Sequence, residues 1–241
     1  VARSGGHVIK NVAGYDLAKL LHGSYGTLAV LAEVVLRLHP VPLGGTTLAV
    51  DCPLAEAAEL ATTVLGEPHE PAALEWISDT GTDGTLLIRL EGTRDALPAR
   101  ADRLSSALAR TGAGGAGAAD ADLWGRHAQL TRGTGDGAVL RVGVRPSDLP
   151  RVLAALPATA ITAGLGTGIA TVTVDPDAVA AAHAAVHAAG GTSVLRSRPA
   201  GTDPPAWGPP PSALPVLKAV KAELDPDGRL GPGRFDPWMA P

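Results

Sequence analysis

The most patterned part of the sequence is the stretch GHVIKNVAGYDLAKLLHGSYGTLAV, residues 6–30. It is mostly apolar and carries Gly6, Gly14, Gly23 and Gly26. Glycine lets a backbone pass close to a ligand, and N–H groups exposed at such turns can bind a phosphate or the polar edge of a cofactor. Ordinary turns use glycine too, so the spacing alone leaves both interpretations open. Within this stretch neither G-x-G-x-x-G nor G-K-[ST] occurs, so a Rossmann or P-loop site has no motif support here.

Length and composition limit the remaining interpretations. The chain has 241 residues, of which 45% are hydrophobic and 18% charged, so we expect one large globular domain or two small ones. A net charge of −4 provides no basic surface for nucleic acid. The single cysteine, Cys52, excludes an internal disulfide and any multi-cysteine metal or iron–sulfur site in the chain. No apolar run approaches the roughly 18 residues of a transmembrane segment.

Local patterns predict the elements of the first forty residues. Residues 8–12 are typical of a short strand, and Asp16 can cap a short helix that ends near Gly23. Residues 27–38 are apolar, and their second half alternates, which predicts a half-buried strand. Pro40 and Pro42 would end this strand.

Two similar halves follow. The first has the predicted order β-α-β-β-α and the second β-α-β-β-α-β, which is a repeated split βαβ pattern. Two such units can join edge to edge into one antiparallel sheet with helices on one face. Residues 111–119 are predicted to be a flexible tract, a short helix is expected over 122–130, and Ser212 is expected to cap a last helix. Predicted strands are 46–51, 73–78, 85–91, 138–144, a strand near 160, 169–174 and 192–196; predicted helices are 54–66, 97–110, 147–156 and 177–189.

Motifs near both ends of the chain resemble one family. Residues 6–20 resemble a stretch of the FAD-linked oxidases of the vanillyl-alcohol-oxidase, or PCMH, type, and GSYGTLAV at 23–30 resembles their GSxGTLGV segment. KAELDPDGRLGPGR at 221–234 is similar to the ending K…DPxGxxNPGR, and residues 190–196 look like the final cap strand. The stretch VIKNVAGYDLAKL, residues 8–20, is most similar to the corresponding stretch of the E-type, FAD-binding subunits of bacterial glycolate oxidases.

The resemblance implies an α+β fold in three parts. Residues 1–42 would be the C-terminal edge of a PCMH-type FAD-binding domain, and 43–198 a ferredoxin-like duplicated cap with an antiparallel sheet. Residues 199–241 would be a proline-rich return segment and a C-terminal helix. The sequence begins at Val1 without Met, so we expect an N-terminally truncated chain whose FAD pyrophosphate loop precedes Val1.

The resemblance also implies a cofactor, a reaction and partners. FAD would accept a hydride from glycolate or another 2-hydroxy acid and pass electrons to an iron–sulfur subunit, beside a homologous flavoprotein D-type subunit. A cytoplasmic location follows, with membrane association only through partner subunits. The motifs identify no catalytic residue. The cofactor-binding residues implied by the match are Lys10, Asn11, Tyr15, Ser24, Gly26, Thr27, Leu28, Ala29 and Val30.

Two departures from the family pattern leave a second interpretation open. Ala29 stands where the family has glycine, so a methyl group lies where the backbone should approach the cofactor. Gly231 stands where the family has asparagine, which removes a side-chain amide. Both changes favour a non-catalytic or degenerate α+β module that serves in assembly or binding without functional FAD binding.

Other residues are weaker candidates. His183 and His187 have the i, i+4 spacing of metal ligands, but no third ligand is evident, so we expect them on an exposed helix face. Cys52 is interpreted as a small apolar residue, and Lys221 is expected on the solvent side of the last helix. Trp207 is expected either over a substrate cleft or packed against the sheet.

Overall fold

The structure is a computed structural model that describes residues 2–5, 16–66, 68–112, 115–120, 122–133 and 135–239. The described residues form two compact units. The first lies within Val1–His39 and Pro210–Pro241, and the second within Pro40–Pro209. The predicted strand over residues 8–12 lies outside the described residues.

Seven helices and eight strands are assigned in the described part of the chain. The helices are α1 (Leu17–Leu21), α2 (Leu54–Gly66), α3 (Leu97–Ala109), α4 (Leu123–Arg132), α5 (Leu149–Ala154), α6 (Val179–Ala188) and α7 (Leu214–Leu224). The strands are β1 (Gly44–Pro53), β2 (Ala73–Ser78), β3 (Asp83–Gly92), β4 (Gly117–Ala118), β5 (Ala138–Gly143), β6 (Ala158–Gly164), β7 (Ile169–Val174) and β8 (Thr192–Ser197). The longest of these helices have 13 residues, and none is long and apolar enough to cross a membrane.

The strands form one antiparallel sheet in the order β4-β1-β3-β2-β6-β7-β5-β8. Each half repeats the β-α-β-β-α-β succession, and the halves join through β2 and β6, where Glu75 pairs with Gly164 and Ser78 with Ile161. The predicted α+β fold with a duplicated antiparallel cap is therefore confirmed.

The last strand of the first repeat lies within the tract that the sequence predicts to be flexible. Gly117 and Ala118 pair with Ala49 and Leu48 of β1 and form the two-residue strand β4. Glycine and alanine have low strand propensity, so the sequence carries no strand signal there. The edge of β1 supplies the hydrogen-bonding partners that create this strand.

Most of the core lies between the sheet and helices α2, α3, α5 and α6. Leu86, Ile88 and Leu90 alternate along β3, are fully buried and point towards these helices. Trp76 of β2 is also fully buried, and its Nε1–H donates to the Cys52 carbonyl over 3.0 Å. The bond satisfies the polar atom of the largest core side chain, so its burial costs little.

Helix α4 packs on the other face of the sheet, so the expectation that helices cover one face is wrong. Leu130 of α4 is buried against Ile77, Leu87 and Ala160, which point away from the main core. Trp124 Nε1 also donates to Thr47 Oγ1 over 2.9 Å. The central strands β2 and β3 are apolar on both faces, and the helix linking the two repeats covers the second face.

Capping predictions succeed at one helix and fail at two. Asp175 Oδ1 accepts a hydrogen bond of 2.9 Å from Asp177 N, at the 3₁₀ turn Pro176–Ala178 that leads into α6. Asp16 instead pairs with Lys19 at 3.3 Å, and its side chain does not cap α1. Ser212 does not occupy the N-cap of α7, because that position belongs to Ala213.

The half-buried strand predicted in the second half of residues 27–38 is also wrong. The structure assigns no strand within residues 16–43, and Val34, Val35 and Leu36 are 69%, 75% and 75% exposed. A strand needs a neighbour that exchanges backbone hydrogen bonds with it, and no strand in the described part of the chain pairs with this segment. Side-chain alternation therefore does not produce a strand here.

We expect Leu130→Ala to lower the free energy of unfolding by about 2–4 kcal/mol, because it leaves a cavity between α4 and the sheet. Leu65→Ala on α2 is the matched control. Leu65 is 53% exposed, so its truncation should cost no more than about 0.5 kcal/mol. Urea unfolding followed by circular dichroism measures both values, and equal costs for the two variants would contradict the packing of α4 on the second face.

Candidate functional site

The segment Gly23–Val30 begins with a tight turn. Thr27 N–H donates to Ser24 O over 3.0 Å, and Tyr25 and Gly26 both have positive φ, 53° and 76°. Positive φ at both central residues is the signature of a type I′ turn. A Cβ at Gly26 would meet no atom within 4 Å, so the described residues leave the outer side of this turn open.

Thr27 anchors the turn from inside. The residue is buried, and its Oγ1 donates to Ser24 O over 2.7 Å. Its carbonyl accepts a hydrogen bond of 2.8 Å from Lys221 Nζ. The N–H, hydroxyl and carbonyl of Thr27 are thus all engaged within the protein, which gives this residue a positioning role.

Lys221 lies in α7, and the expectation that it is solvated is wrong. Its Nζ contacts the Thr27 carbonyl, the Leu230 carbonyl at 2.8 Å and Asp225 Oδ2. An ammonium has three N–H donors, so all three have partners here. Residues 194 positions apart in the sequence thereby meet at one charged group.

Asp225 is the buried partner of this ammonium. Its Oδ1 accepts from Arg229 N over 3.0 Å and its Oδ2 from Leu230 N over 2.8 Å. The hydrogen bond from Lys221, reinforced by these two backbone N–H groups, lowers the pKa of the Asp225 carboxyl below its ordinary value. Asp225 therefore stays ionised and holds the turn after α7 in one conformation.

The C-terminal motif packs onto the same turn. The rings of Tyr25 and Phe235 meet edge to face, with centroids 5.9 Å apart and planes at 87°. Gly231 has φ +53°, a left-handed conformation that glycine and asparagine both tolerate, so the departure from the family pattern is compatible with this backbone. A Cβ at Gly231 would lie 3.1 Å from Thr27 Cγ2, so glycine also allows close packing on the turn.

The backbone after Thr27 is available for a ligand. Among the described residues, the N–H groups of Leu28, Ala29 and Val30 have no hydrogen-bond partner. Leu28 and Ala29 are half-buried, and Val30 is 81% exposed. Three consecutive unpaired donors beside an open turn can bind the acceptor atoms of a planar heterocycle or an anion.

The structure brings together the predicted cofactor-binding residues Ser24, Gly26 and Thr27–Val30. Lys10, Asn11 and Tyr15 lie outside the described residues. Sequence reasoning missed Lys221 and Asp225 as parts of this site, although both stand in the C-terminal motif. Their i, i+4 spacing predicts a pair on the helix, but it contains no information about Thr27.

The two histidines of α6 occupy different environments in the second unit. His183 is buried, which corrects the expectation of an exposed position; its Nδ1 lies 2.6 Å from Ser193 Oγ and its Nε2 3.1 Å from the Pro205 carbonyl. His187 is exposed as expected. Within the described ranges, no group of three or more His, Cys, Asp or Glu side chains could hold a metal ion.

Cys52 and Trp207 are structural. The Cys52 thiol is buried, and burial together with the nearby Glu56 raises its pKa to about 11, so it is an unreactive apolar residue as predicted. Trp207 forms an isolated antiparallel bridge with Val194 of β8, which supports its packing against the sheet.

The sequence is homologous, over part of its length, to FAD-linked oxidoreductases, which confirms the resemblance that the motifs predict. It is 40% identical over 103 residues to glycolate oxidase subunit GlcE of Escherichia coli, covering 42% of this chain and 28% of that protein. It is 34% identical over 102 residues to glycolate oxidase subunit GlcD of Bacillus subtilis, covering 42% of this chain and 21% of that protein. No protein-family model matches.

The name of a third relative specifies FAD as its cofactor. An FAD-linked oxidoreductase of Mycobacterium tuberculosis is 35% identical over 81 residues, covering 33% of this chain and 18% of that protein. The chain thus spans between 18 and 28% of the length of these relatives.

A solved structure supports the fold over nearly the whole chain. Alkyldihydroxyacetonephosphate synthase superposes with a TM-score of 0.59 at 14% identity, covering 93% of this chain and half of the synthase. At this identity the match establishes the fold alone.

We expect the second unit to lose stability as the pH falls below about 6.5, the ordinary pKa of histidine. Burial lowers the pKa of His183, so the unfolded chain binds this proton more readily than the folded chain does. The associated stability is present above pH 6.5 and is lost as the pH falls through the folded pKa. Urea unfolding between about pH 8 and pH 5 measures the effect.

His183→Gln should remove this part of the pH dependence, because glutamine does not titrate. His187→Gln, an exposed change on the same helix, should keep the wild-type profile. If the His183→Gln profile matches the wild type, His183 does not carry the dependence.

Proposed function

We propose that this chain is part of an FAD-dependent oxidoreductase subunit that acts in the oxidation of glycolate or a related 2-hydroxy acid. The observation that carries the proposal is the loop of residues 23–30, which matches the family segment. Among the described residues, the backbone N–H groups of residues 28–30 have no hydrogen-bond partner, and the outer side of the turn before them is open. The homology to glycolate oxidase subunits supports the substrate class.

The described residues fit a flavin by the chemistry of their donors. The polar edge of an oxidised flavin ring carries carbonyl oxygens and unprotonated ring nitrogens, which can accept hydrogen bonds from backbone N–H groups. Leu28, Ala29 and Val30 would supply those donors through the backbone, while Ser24 and Gly26 shape the turn before them. We also propose that Lys10, Asn11 and Tyr15 contact the flavin. Only the motif match supports these three contacts.

The cofactor and the protein would have different roles in the reaction. When bound, FAD would supply a two-electron acceptor for the hydride on the carbon that bears the substrate hydroxyl, and the hydroxyl proton would leave to a base or to solvent. The residues of this chain bind and orient the ring through backbone N–H groups. The described part of the chain offers no convincing catalytic base, which suits a subunit that assists electron transfer or assembly beside a D-type subunit.

The proposed partners are a flavoprotein D-type subunit and an iron–sulfur subunit that receives electrons from the flavin. The proposed location is cytoplasmic, with any membrane association through those partners. Residues 1–42 would be an edge of the FAD-binding domain and residues 43–198 its cap.

The competing candidate is a non-catalytic assembly module, which Ala29 favours because a methyl group replaces the family glycine beside the free donors. Flavin content decides between them. The protein, expressed from its complete reading frame, is purified and its visible flavin absorbance is compared with its concentration. A stoichiometric flavin that glycolate reduces supports the oxidoreductase, whereas an absence of flavin after reconstitution with FAD supports the module.

We expect Ala29→Gly to bind FAD at least as tightly as the wild type, because removing the methyl group can only widen the approach to the backbone donors. Ala29→Val, which enlarges the side chain, should weaken binding by about tenfold. Fluorescence titration of the flavin-free protein measures both affinities. A clear loss of affinity on Ala29→Gly would argue against a backbone contact at this residue.

A further inference from the structure

We infer that Lys221 and Asp225 are positioning residues that aim the backbone donors of residues 28–30 at the flavin. The inference rests on the proposed function and extends it to the C-terminal helix, outside the segment that matches the flavin-contact motif. It starts from the three hydrogen bonds of one ammonium, to the carbonyls of Thr27 and Leu230 and to the carboxylate of Asp225.

The peptide group between Thr27 and Leu28 links the lysine contact to the first N–H donor. The carbonyl of Thr27 and the N–H of Leu28 belong to the same planar peptide group, so they point in opposite directions along one rigid plane. Lys221 Nζ holds that carbonyl at 2.8 Å. Fixing the direction of the carbonyl therefore also fixes the direction of the first free donor, the N–H of Leu28.

Neighbouring groups hold the ammonium of Lys221 in place. The side chain of Asp225 is 6% exposed and that of Lys221 21% exposed, so solvent contributes little to holding either group. Asp225 also accepts the N–H groups of Arg229 and Leu230, and the Leu230 carbonyl returns to Lys221. Each group in this closed set fixes another, so the ammonium has one favoured position.

This set of contacts differs from an ordinary ion pair on a helix. An exposed i, i+4 pair contributes only about 0.3–0.5 kcal/mol and has no reason to contact a distant loop. Here two of the three N–H donors of the Lys221 ammonium bind carbonyl oxygens. One of these carbonyls lies in the turn that carries the flavin-contact motif. Charge-assisted hydrogen bonds of this kind are shorter and stronger than neutral ones.

The test uses the protein expressed from its complete reading frame, with the variants Lys221→Met, Lys221→Arg and Asp225→Asn. Lys218→Met is the matched control, because Lys218 is an exposed lysine on the same helix. Two properties are measured, the affinity for FAD by fluorescence titration and the visible circular dichroism of the flavin at saturating FAD. The second reports the asymmetry of the flavin environment and does not change when only global stability falls.

We expect Lys221→Met to weaken FAD binding by about tenfold or more and to alter the visible circular dichroism, since the Thr27 carbonyl loses its charged donor. Lys221→Arg keeps a cationic donor and should restore part of the affinity. Asp225→Asn should change the FAD affinity and the circular dichroism in the same direction as Lys221→Met, but by a smaller amount. Lys218→Met should match the wild type in both measurements.

Two results separate this inference from the proposed function. If the wild type binds FAD and the three variants bind it with unchanged affinity and circular dichroism, the positioning role is wrong and the flavin function stands. If the wild type binds no FAD, both are wrong. Should Lys221→Met fail to fold, Lys221→Arg and Asp225→Asn decide the question, because wild-type values in both overturn the inference.

Discussion

The antiparallel pairing of β2 with β6 is the contact on which the larger unit depends. It joins two βαββαβ repeats into one sheet and turns what would be two open edges into the centre of that sheet. Trp76 and Ile161 are buried on one face of the junction, and Ile77 and Ala160 on the other. Both hydrophobic clusters therefore require this pairing, and α4 lies over the second one.

In the described part of the smaller unit, one charged group links the segments that a sheet links in the larger unit. Its helices α1 and α7 bury no residue completely, so apolar burial alone contributes little. The ammonium of Lys221 links the turn at residues 24–27 to the turn at 225–230, and the Tyr25–Phe235 ring contact adds to the link. The flavin-contact motif and the C-terminal motif are thus two sides of one local structure.

Sequence reasoning was most accurate where local signals and packing agree. The strands 73–78 and 169–174 were predicted with their observed bounds, because both are short, largely apolar segments bounded by turn-forming residues. It failed where a distant partner decides. Residues 27–38 alternate without a strand beside them, Gly117–Ala118 pair without any strand propensity, and His183 is buried by Ser193 and Pro205 despite its alanine-rich helix.

The sequence by itself determined the family resemblance and the order of helices and strands in the duplicated α+β pattern. These features are local, since each depends on residue type and spacing within one segment. Only the tertiary structure decided that Lys221 and Asp225 belong with Thr27. Hydrogen bonds between segments some 190 residues apart leave no periodic trace in either segment, so no local pattern could have predicted them.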